Sequence, residues 1–279
     1  MLMKTALNTT AEKLTALRAL MAQNGHDGFL VPRSDRFQNE YVPAAEERLA
    51  WLVGFTGSAG LLLVLPTRAV LFVDGRYTVQ AAQQVDSDWV ECVQISASLS
   101  YQQWLQENLV AGQTIAGDSW LHSQAQFHSF DTACQAAGAT LTASPNWIDE
   151  LWQERPQQPA EPVVAHPLEY AGQASQEKLQ TLASTLKANA CDAVVLTATD
   201  SVAWLLNLRG SDIPYNPVFC AYAVVDAGGT AELFIDAERL DAKAQSHLPE
   251  AVTLVPVNQF EALLQQLGEA SASVQLDYS

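Results

Sequence analysis

Two stretches of this sequence, WLVGFTGSAG from Trp51 and WLLNLRGSDI from Trp204, share a Trp-Leu pair followed at the same distance by Gly-Ser. The likeness runs on in one order. Glu12-Lys13-Leu14 matches Glu177-Lys178-Leu179 at a separation of 165, as do Asp27 with Asp192 and Asp35 with Asp200. At the Trp-Leu pair the separation has fallen to 153, which places a loop insertion in the first copy. LFVDGRY (71–77) then matches LFIDAER (233–239), an apolar strand ending in an Asp turn each time, and QQWLQENLVAGQTIAGDSW resembles EALLQQLGEASASVQLDYS. Self-similarity this long and ordered means one supersecondary unit used twice.

The unit reads as alternating helix and strand. Thr9 with Glu12 three residues on is a capping box, and Leu14, Leu17, Leu20 and Met21 form the apolar stripe of the helix behind it. GFLVP follows as a short buried strand. In the second copy Leu179, Leu182 and Leu186 form the stripe and residues 193–196 the strand. Past Asp118 the first copy continues through a helix at 123–137 and a strand at 139–143, whereas the second copy reaches its equivalent Asp277 two residues before the last residue. By that comparison about thirty residues of the second copy are missing, and the chain reads as a piece of something longer. Pro156, Pro159, Pro162 and Pro167 mark 155–175 as the linker, because each removes a backbone donor and disfavours helix at the residue before it. The expected domains are 1–157 and 158–279, each an α/β unit with a mixed sheet flanked by helices, and 279 residues suit two cores better than one.

Lys and Arg number 14 against 31 Asp and Glu, a net charge of −17 that repels phosphate backbones, so nucleic acid is excluded as a partner class. No apolar run has the length of a membrane span, and the opening MLMKTALNTTAEKL lacks the apolar core of a signal peptide. Cys92, Cys134, Cys191 and Cys220 form no CxxC pair and are expected to be reduced, buried thiols of a cytoplasmic protein.

Few residues point to chemistry. GFTGSAG has neither the spacing of a dinucleotide loop nor a closing Gly-Lys-Ser, and the LLLVL behind it predicts a tight turn into a strand. The histidines at 26, 122, 128, 166 and 247 stand singly; His128 with Asp131, and Asp86 with Asp88, are the nearest approaches to a cation site. No Ser occupies a GxSxG elbow. The richest stretch is DSVAWLLNLRGSDIPYNPVFCAY, 200–222. It allows two readings: Arg209 pairs with an Asp and holds a turn while Trp204 packs in the core, or Arg209, Asp212 and Tyr215 line a recognition surface.

These residues resemble the aminopeptidase P group of metallopeptidases, the relatives of prolidase and creatinase that share a pita-bread catalytic fold. DRFQNEYVPAAEERLAWLVGFTGSAG followed by VLFVDGRYTVQA resembles the first N-terminal domain of the long, three-domain form, and AWLLNLRGSDIPYNPVFCAY resembles the signature of its middle domain. The resemblance implies two tandem creatinase/prolidase N-terminal-type domains that do no bond-breaking. They would narrow the cleft of a whole enzyme, with Glu40, Tyr41, Arg209, Asp212, Tyr215 and Asn216 near its mouth and with subunit contacts of a homodimer. It implies short peptides with proline at the second position as substrates of the whole enzyme. Two divalent metal ions, manganese by the family's habit, would sit in a C-terminal catalytic domain and none in this chain. Many relatives carry a His where this chain has Phe37, so a role for that His does not transfer. Two rivals are a non-enzymatic peptide- or histone-binding module of the same fold family, which the acidic charge suits, and a prolidase or creatinase relative, which would carry only one such unit.

Overall fold

Thr9 opens the first helix with its hydroxyl accepting from the Glu12 N–H (3.2 Å), while the Glu12 carboxylate accepts from the Thr9 N–H (3.0 Å). The capping box therefore forms as the sequence predicts, and it satisfies donors that a helix start leaves without partners. A computed structural model of the chain describes residues 7–277; residues 1–6 and 278–279, the outer ends of the two expected domains, lie outside the described residues. The described chain divides after Gln157 into two compact units.

Unit 1 runs α1 (Thr10–Gln23), β1 (Gly28–Pro32), α2 (Arg48–Val53), β2 (Leu61–Val64), β3 (Ala69–Val73), α3 (Thr78–Gln84), β4 (Glu91–Gln94), α4 (Tyr101–Asn108), β5 (Thr114–Gly117), α5 (Gln124–Ala136), β6 (Thr140–Ala143) and α6 (Trp147–Leu151). Unit 2 runs β7 (Val164–Ala165), α7 (Leu168–Ala171), α8 (Ser175–Ala188), β8 (Ala193–Leu196), α9 (Thr199–Leu206), β9 (Leu208–Arg209), β10 (Tyr222–Asp226), β11 (Ala231–Phe234), α10 (Ala242–His247), β12 (Val252–Val255), α11 (Phe260–Glu269) and β13 (Val274–Gln275).

The two sheets share one topology. Unit 1 orders its strands β4-β3-β2-β1-β5-β6 and unit 2 orders its own β12-β11-β10-β8-β13. β1 lies antiparallel to β2 and parallel to β5, as β8 lies antiparallel to β10 and parallel to β13. The outer pairs repeat the same alternation, antiparallel then parallel. Matched aspartates start the central strands: the Asp27 N–H donates to the Thr114 carbonyl while its carboxylate accepts from the Thr114 N–H at 2.9 Å, and Asp192 does the same with Ser273 at 2.8 Å. Among the described residues β6 has no counterpart in unit 2.

Helices cover both faces of the unit 1 sheet, which explains why LLLV in β2 and AVLFV in β3 are unbroken apolar runs rather than alternating ones. On one face Leu14, Leu17 and Met21 of α1 join Leu52 of α2 and Trp147 and Ile148 of α6 over Phe29, Val31 and Leu71. On the other, Trp104 and Leu105 of α4 meet Phe130, Ala133 and Cys134 of α5 over Leu30, Leu63 and Phe72. At about 1.5–3 kcal/mol per buried large side chain, such clusters outweigh any single cap or ion pair. In unit 2 the corresponding first face is built from Leu179, Leu186, Val202, Leu205 and Leu233.

Three expectations change. The Pro-rich stretch is a linker only in part, because Val163 is fully buried and β7 pairs antiparallel with β9. The cysteines are free, but only Cys134 is buried, and burial raises its thiol to about 11; Cys92 is exposed on the edge strand β4. Trp204 is 55% exposed rather than packed in the core. Among the described residues no helix is long and apolar enough to cross a membrane.

Candidate functional site

α9 ends where Asn207 takes a left-handed backbone (φ +50°), a conformation asparagine tolerates better than most side chains. The chain pairs briefly through β9 and turns at Gly210, where a Cβ would lie 2.7 Å from the Cβ of Phe219. Only glycine lets the two ends of this loop approach so closely. Asp212 then ties them: both its oxygens accept from Arg239 Nη2 (2.8 and 2.7 Å), and Oδ2 accepts from the Cys220 N–H (2.6 Å). Arg239 also donates to the carbonyls of Glu161 (3.1 Å) and Cys220 (3.3 Å). The Asp212 side chain is fully buried and that of Arg239 is 9% exposed, so the pair is held away from water and its breakage is costly.

Inside this brace Ile213, Pro214, Tyr215 and Asn216 form a turn closed by the Asn216 N–H on the Ile213 carbonyl (3.2 Å). Tyr215 has φ +65° and is 95% exposed. A side chain in that region costs about 1–2 kcal/mol, which the surrounding loop must offset. A rigid aromatic is thus presented on a strained but braced turn.

The sequence reading of Arg209 is corrected here. Its Nη1 donates to the carbonyls of Ala203 (3.0 Å) and Leu208 (2.8 Å), serving the end of α9, and the partner of Asp212 is Arg239 instead. Lys178 also serves that helix end, donating to the Trp204 carbonyl (2.7 Å) and to Asn207 Oδ1 (2.7 Å) with its ammonium 4.2 Å from the Trp204 ring centroid. Of the four candidates on this loop, Arg209 and Asp212 are held inward and Tyr215 points out, with Asn216 half-buried in the turn.

Glu40 and Tyr41 belong to unit 1, on the segment between β1 and α2, and both are exposed. The segment is fastened at each end. Asp35, fully buried, accepts from the N–H groups of Phe37 (3.0 Å) and Asn39 (3.0 Å) and from Asn39 Nδ2 (2.8 Å). Burial pushes its carboxyl above the usual range, and those hydrogen bonds oppose the shift. At the far end Glu46 bonds Arg48, whose Nε reaches Asp149 (2.6 Å), and Arg155 joins both acids at 3.0 and 2.7 Å. Phe37 contributes its backbone N–H to this arrangement.

The remaining candidates carry little. Gly57 is close-packed, since a Cβ would lie 2.8 Å from the Tyr77 ring, and Ser58 Oγ lies 2.7 Å from the Tyr77 hydroxyl. GFTGSAG is therefore a packed turn into β2, as read. Asp86 accepts from the Asp88 N–H (3.0 Å) in a solvated turn. A groove of about 490 Å³ at the start of α5 is lined by His122, His128 and Asp131, but burial lowers the His122 pKa and keeps that ring neutral. Among the described residues no three His, Cys, Asp or Glu side chains gather to hold a metal ion.

Arg239 and Lys178 escaped the sequence reading. The one available signal was the Glu-Lys-Leu repeat, which put Lys13 and Lys178 in equivalent places without saying what they touch.

Comparison with known proteins follows the same division. Residues 13–151 match a family model described as Creatinase/Prolidase N-terminal domain, and residues 154–279 match a second model of the same description. The chain is 37% identical over 265 residues to a probable Xaa-Pro aminopeptidase P of Ajellomyces capsulatus, covering 94% of this chain and 43% of that protein. It is 38% identical over 267 residues to the one from Coccidioides posadasii, covering 95% and 44%. The crystal structure of X-prolyl aminopeptidase from Caenorhabditis elegans, described as a cytosolic enzyme with a di-nuclear active site, aligns with a TM-score of 0.89 at 32% identity over 97% of this chain and 46% of that one. The chain thus spans less than half the length of these relatives.

Proposed function

Because the chain belongs to the creatinase/prolidase N-terminal domain family, carried here in two tandem copies, we propose that it is the non-catalytic N-terminal portion of a metal-dependent Xaa-Pro aminopeptidase, which removes an N-terminal residue preceding proline. The observation that carries this reading is the alignment of 97% of the chain, at a TM-score of 0.89, with under half of an X-prolyl aminopeptidase. The substrates of the whole enzyme are then short peptides with proline second, and its setting is cytoplasmic, as a homodimer. The described residues do not fit a di-nuclear centre, for want of any three-ligand group. The two ions, manganese in this reading, belong to the rest of the polypeptide, and no chemical step is routed through this chain.

Its work is shape. Two rigid sheets hold loops against the cleft, and a loop positioned by a scaffold is where recognition residues concentrate. Tyr215, exposed on a strained turn, is assigned the substrate side, with Glu40 and Tyr41 on the segment from unit 1. Arg209 and Asp212 act behind these positions, spending their charges on carbonyls and on Arg239. Asn216 closes the turn beneath Tyr215.

In the complete polypeptide, Tyr215→Ala is expected to raise KM for an Xaa-Pro peptide about tenfold with kcat within about twofold, the signature of lost binding that ground and transition state share. An unchanged KM removes the cleft role. The net charge of −17 supports the rival reading of a module for basic peptides. Calorimetry with a lysine-rich histone-tail peptide separates them: micromolar binding without Xaa-Pro turnover by the complete polypeptide selects the rival.

A further inference from the structure

Unit 1 supplies an internal standard for unit 2, because the same topology is closed in one and open in the other. In unit 1 the edge of β5 pairs parallel with β6, and α5 returns over α4. In unit 2 β13 is the edge strand among the described residues, and Leu276 beside it is 56% exposed. A groove of about 360 Å³ opens there, walled by Val194, Leu196, Ser201, Gln275 and Leu276. α11 stands where α4 stands in unit 1. α4 buries Trp104 and Leu105, but α11 fully buries only Phe260 and leaves Leu263, Leu264 and Leu267 half-buried along one stripe.

The other face carries the same message through different residues. In unit 1 the helix after β6 lays Trp147 on Phe29 (centroids 4.7 Å apart) and is followed by Trp152, which stacks on Trp51 at 5.6 Å and 20°. By the repeat, the counterparts of Phe29 and Trp51 are Val194 and Trp204. Val194 walls the open groove, and Trp204 is 55% exposed, with Lys178 on its ring. A closing segment pairs the edge strand and covers the helix stripe and the tryptophan in unit 1, whereas on unit 2 the edge strand is open, the leucine stripe is only half-buried and Trp204 is exposed. Exposed apolar surface and an unpaired sheet edge placed together mark an interaction site.

We infer that this open side of unit 2 is a docking surface for a helix, a strand parallel to β13 and a short aromatic-bearing helix, supplied by the same polypeptide outside the residues of this chain. The helix lies on the Leu263, Leu264 and Leu267 stripe, the strand pairs with β13, and the aromatic stacks on the open part of Trp204. The choice of occupant rests on the proposed function, since relatives more than twice this chain's length carry the additional polypeptide. A second copy of the chain is the alternative, because edge strands also pair with each other.

The test compares the 279-residue chain with the complete polypeptide encoded by its gene, by hydroxyl-radical footprinting of Trp204 and hydrogen exchange of Val274 and Gln275. Oxidation of Trp204 and exchange at β13 are expected to slow about tenfold or more in the complete polypeptide. Leu276→Lys should leave the thermal midpoint of the short chain unchanged and restore fast β13 exchange in the complete one. Equal rates in the two proteins, or a gene that encodes nothing beyond this chain, overturn the inference. Protection of the short chain that grows with its own concentration also overturns it, by making a second copy the occupant. None of these readouts depends on peptidase activity, so the inference and the proposed function fail separately.

Discussion

The Lys178 ammonium lies 2.7 Å from the carbonyl oxygen of Trp204 and 4.2 Å from the centroid of its ring. Lys13 repeats the arrangement on Trp51 at 2.6 and 4.8 Å. A lysine of α1 in unit 1, and of α8 in unit 2, thus binds a carbonyl near the end of α2 or α9, where the macrodipole and the orphan carbonyls favour a cation. The Trp-Leu wording recurs because each copy needs this clamp between two helices. Lys178→Met leaves Asn207 Oδ1 and the Trp204 carbonyl without their shared donor, at a cost of about 2–4 kcal/mol. Lys13→Met, at a half-buried site with no second acceptor, costs less. Urea unfolding of the two variants checks the order.

Arg239→Met strands the Asp212 carboxylate in a buried site and is expected to cost about 3–5 kcal/mol, whereas Arg239→Met with Asp212→Leu recovers part of the loss. Denaturation of the single and double variants measures the coupling. Additive losses would mean that the pair does not hold the loop.

Gly210→Ala places a Cβ against Phe219 Cβ and 3.2 Å from the Val218 carbonyl oxygen, neighbours that move only with the backbone. A loss of about 1–3 kcal/mol is expected, as for other overpacked sites. Gly57→Ala meets the far ends of the Phe55 and Tyr77 rings, which can swing, and its loss should be smaller. Thermal unfolding of the two variants tests that order.

Tyr215→Gly relieves the positive φ and removes a side chain that packs little, so stability should hold or rise by about 1 kcal/mol once glycine's greater unfolded freedom is counted. A large loss would mean that Tyr215 is structural.

Burial is the main cause of the lowered His122 pKa, with the Gln126 hydrogen bond and the Asp118 charge opposing it. The neutral ring is favoured in the fold, so its contribution is complete above the unfolded value of about 6.5 and is lost as pH falls below it. Thermal midpoints at about pH 7.5 and 5.5 should fall less in His122→Phe than in the parent. Equal falls would show that His122 is not the group involved.

The repeat made both sheets legible, because helix stripes, buried strands and their order are local patterns that a duplicated text states twice. Recognition by wording also reached the family. What stayed hidden is pairing across distance: Arg239 lies 27 residues from Asp212, and Arg48 lies 101 from Asp149. Periodicity has no term for which Arg finds which Asp, so the reading that paired Arg209 with an Asp named no partner, and the structure gives Arg209 to carbonyls and Asp212 to Arg239. Trp204 misled for another reason. Its counterpart Trp51 is covered by Trp152, and a residue's burial depends on elements that come much later in the chain.

The central claim is that this chain shapes a peptidase cleft without itself breaking bonds. The most direct measurement is hydrolysis of an Xaa-Pro peptide, with manganese present, by the purified 279-residue chain beside the complete polypeptide. The account predicts turnover by the complete polypeptide and none by the shorter chain. Steady turnover by the 279-residue chain alone, proportional to its concentration, would contradict it.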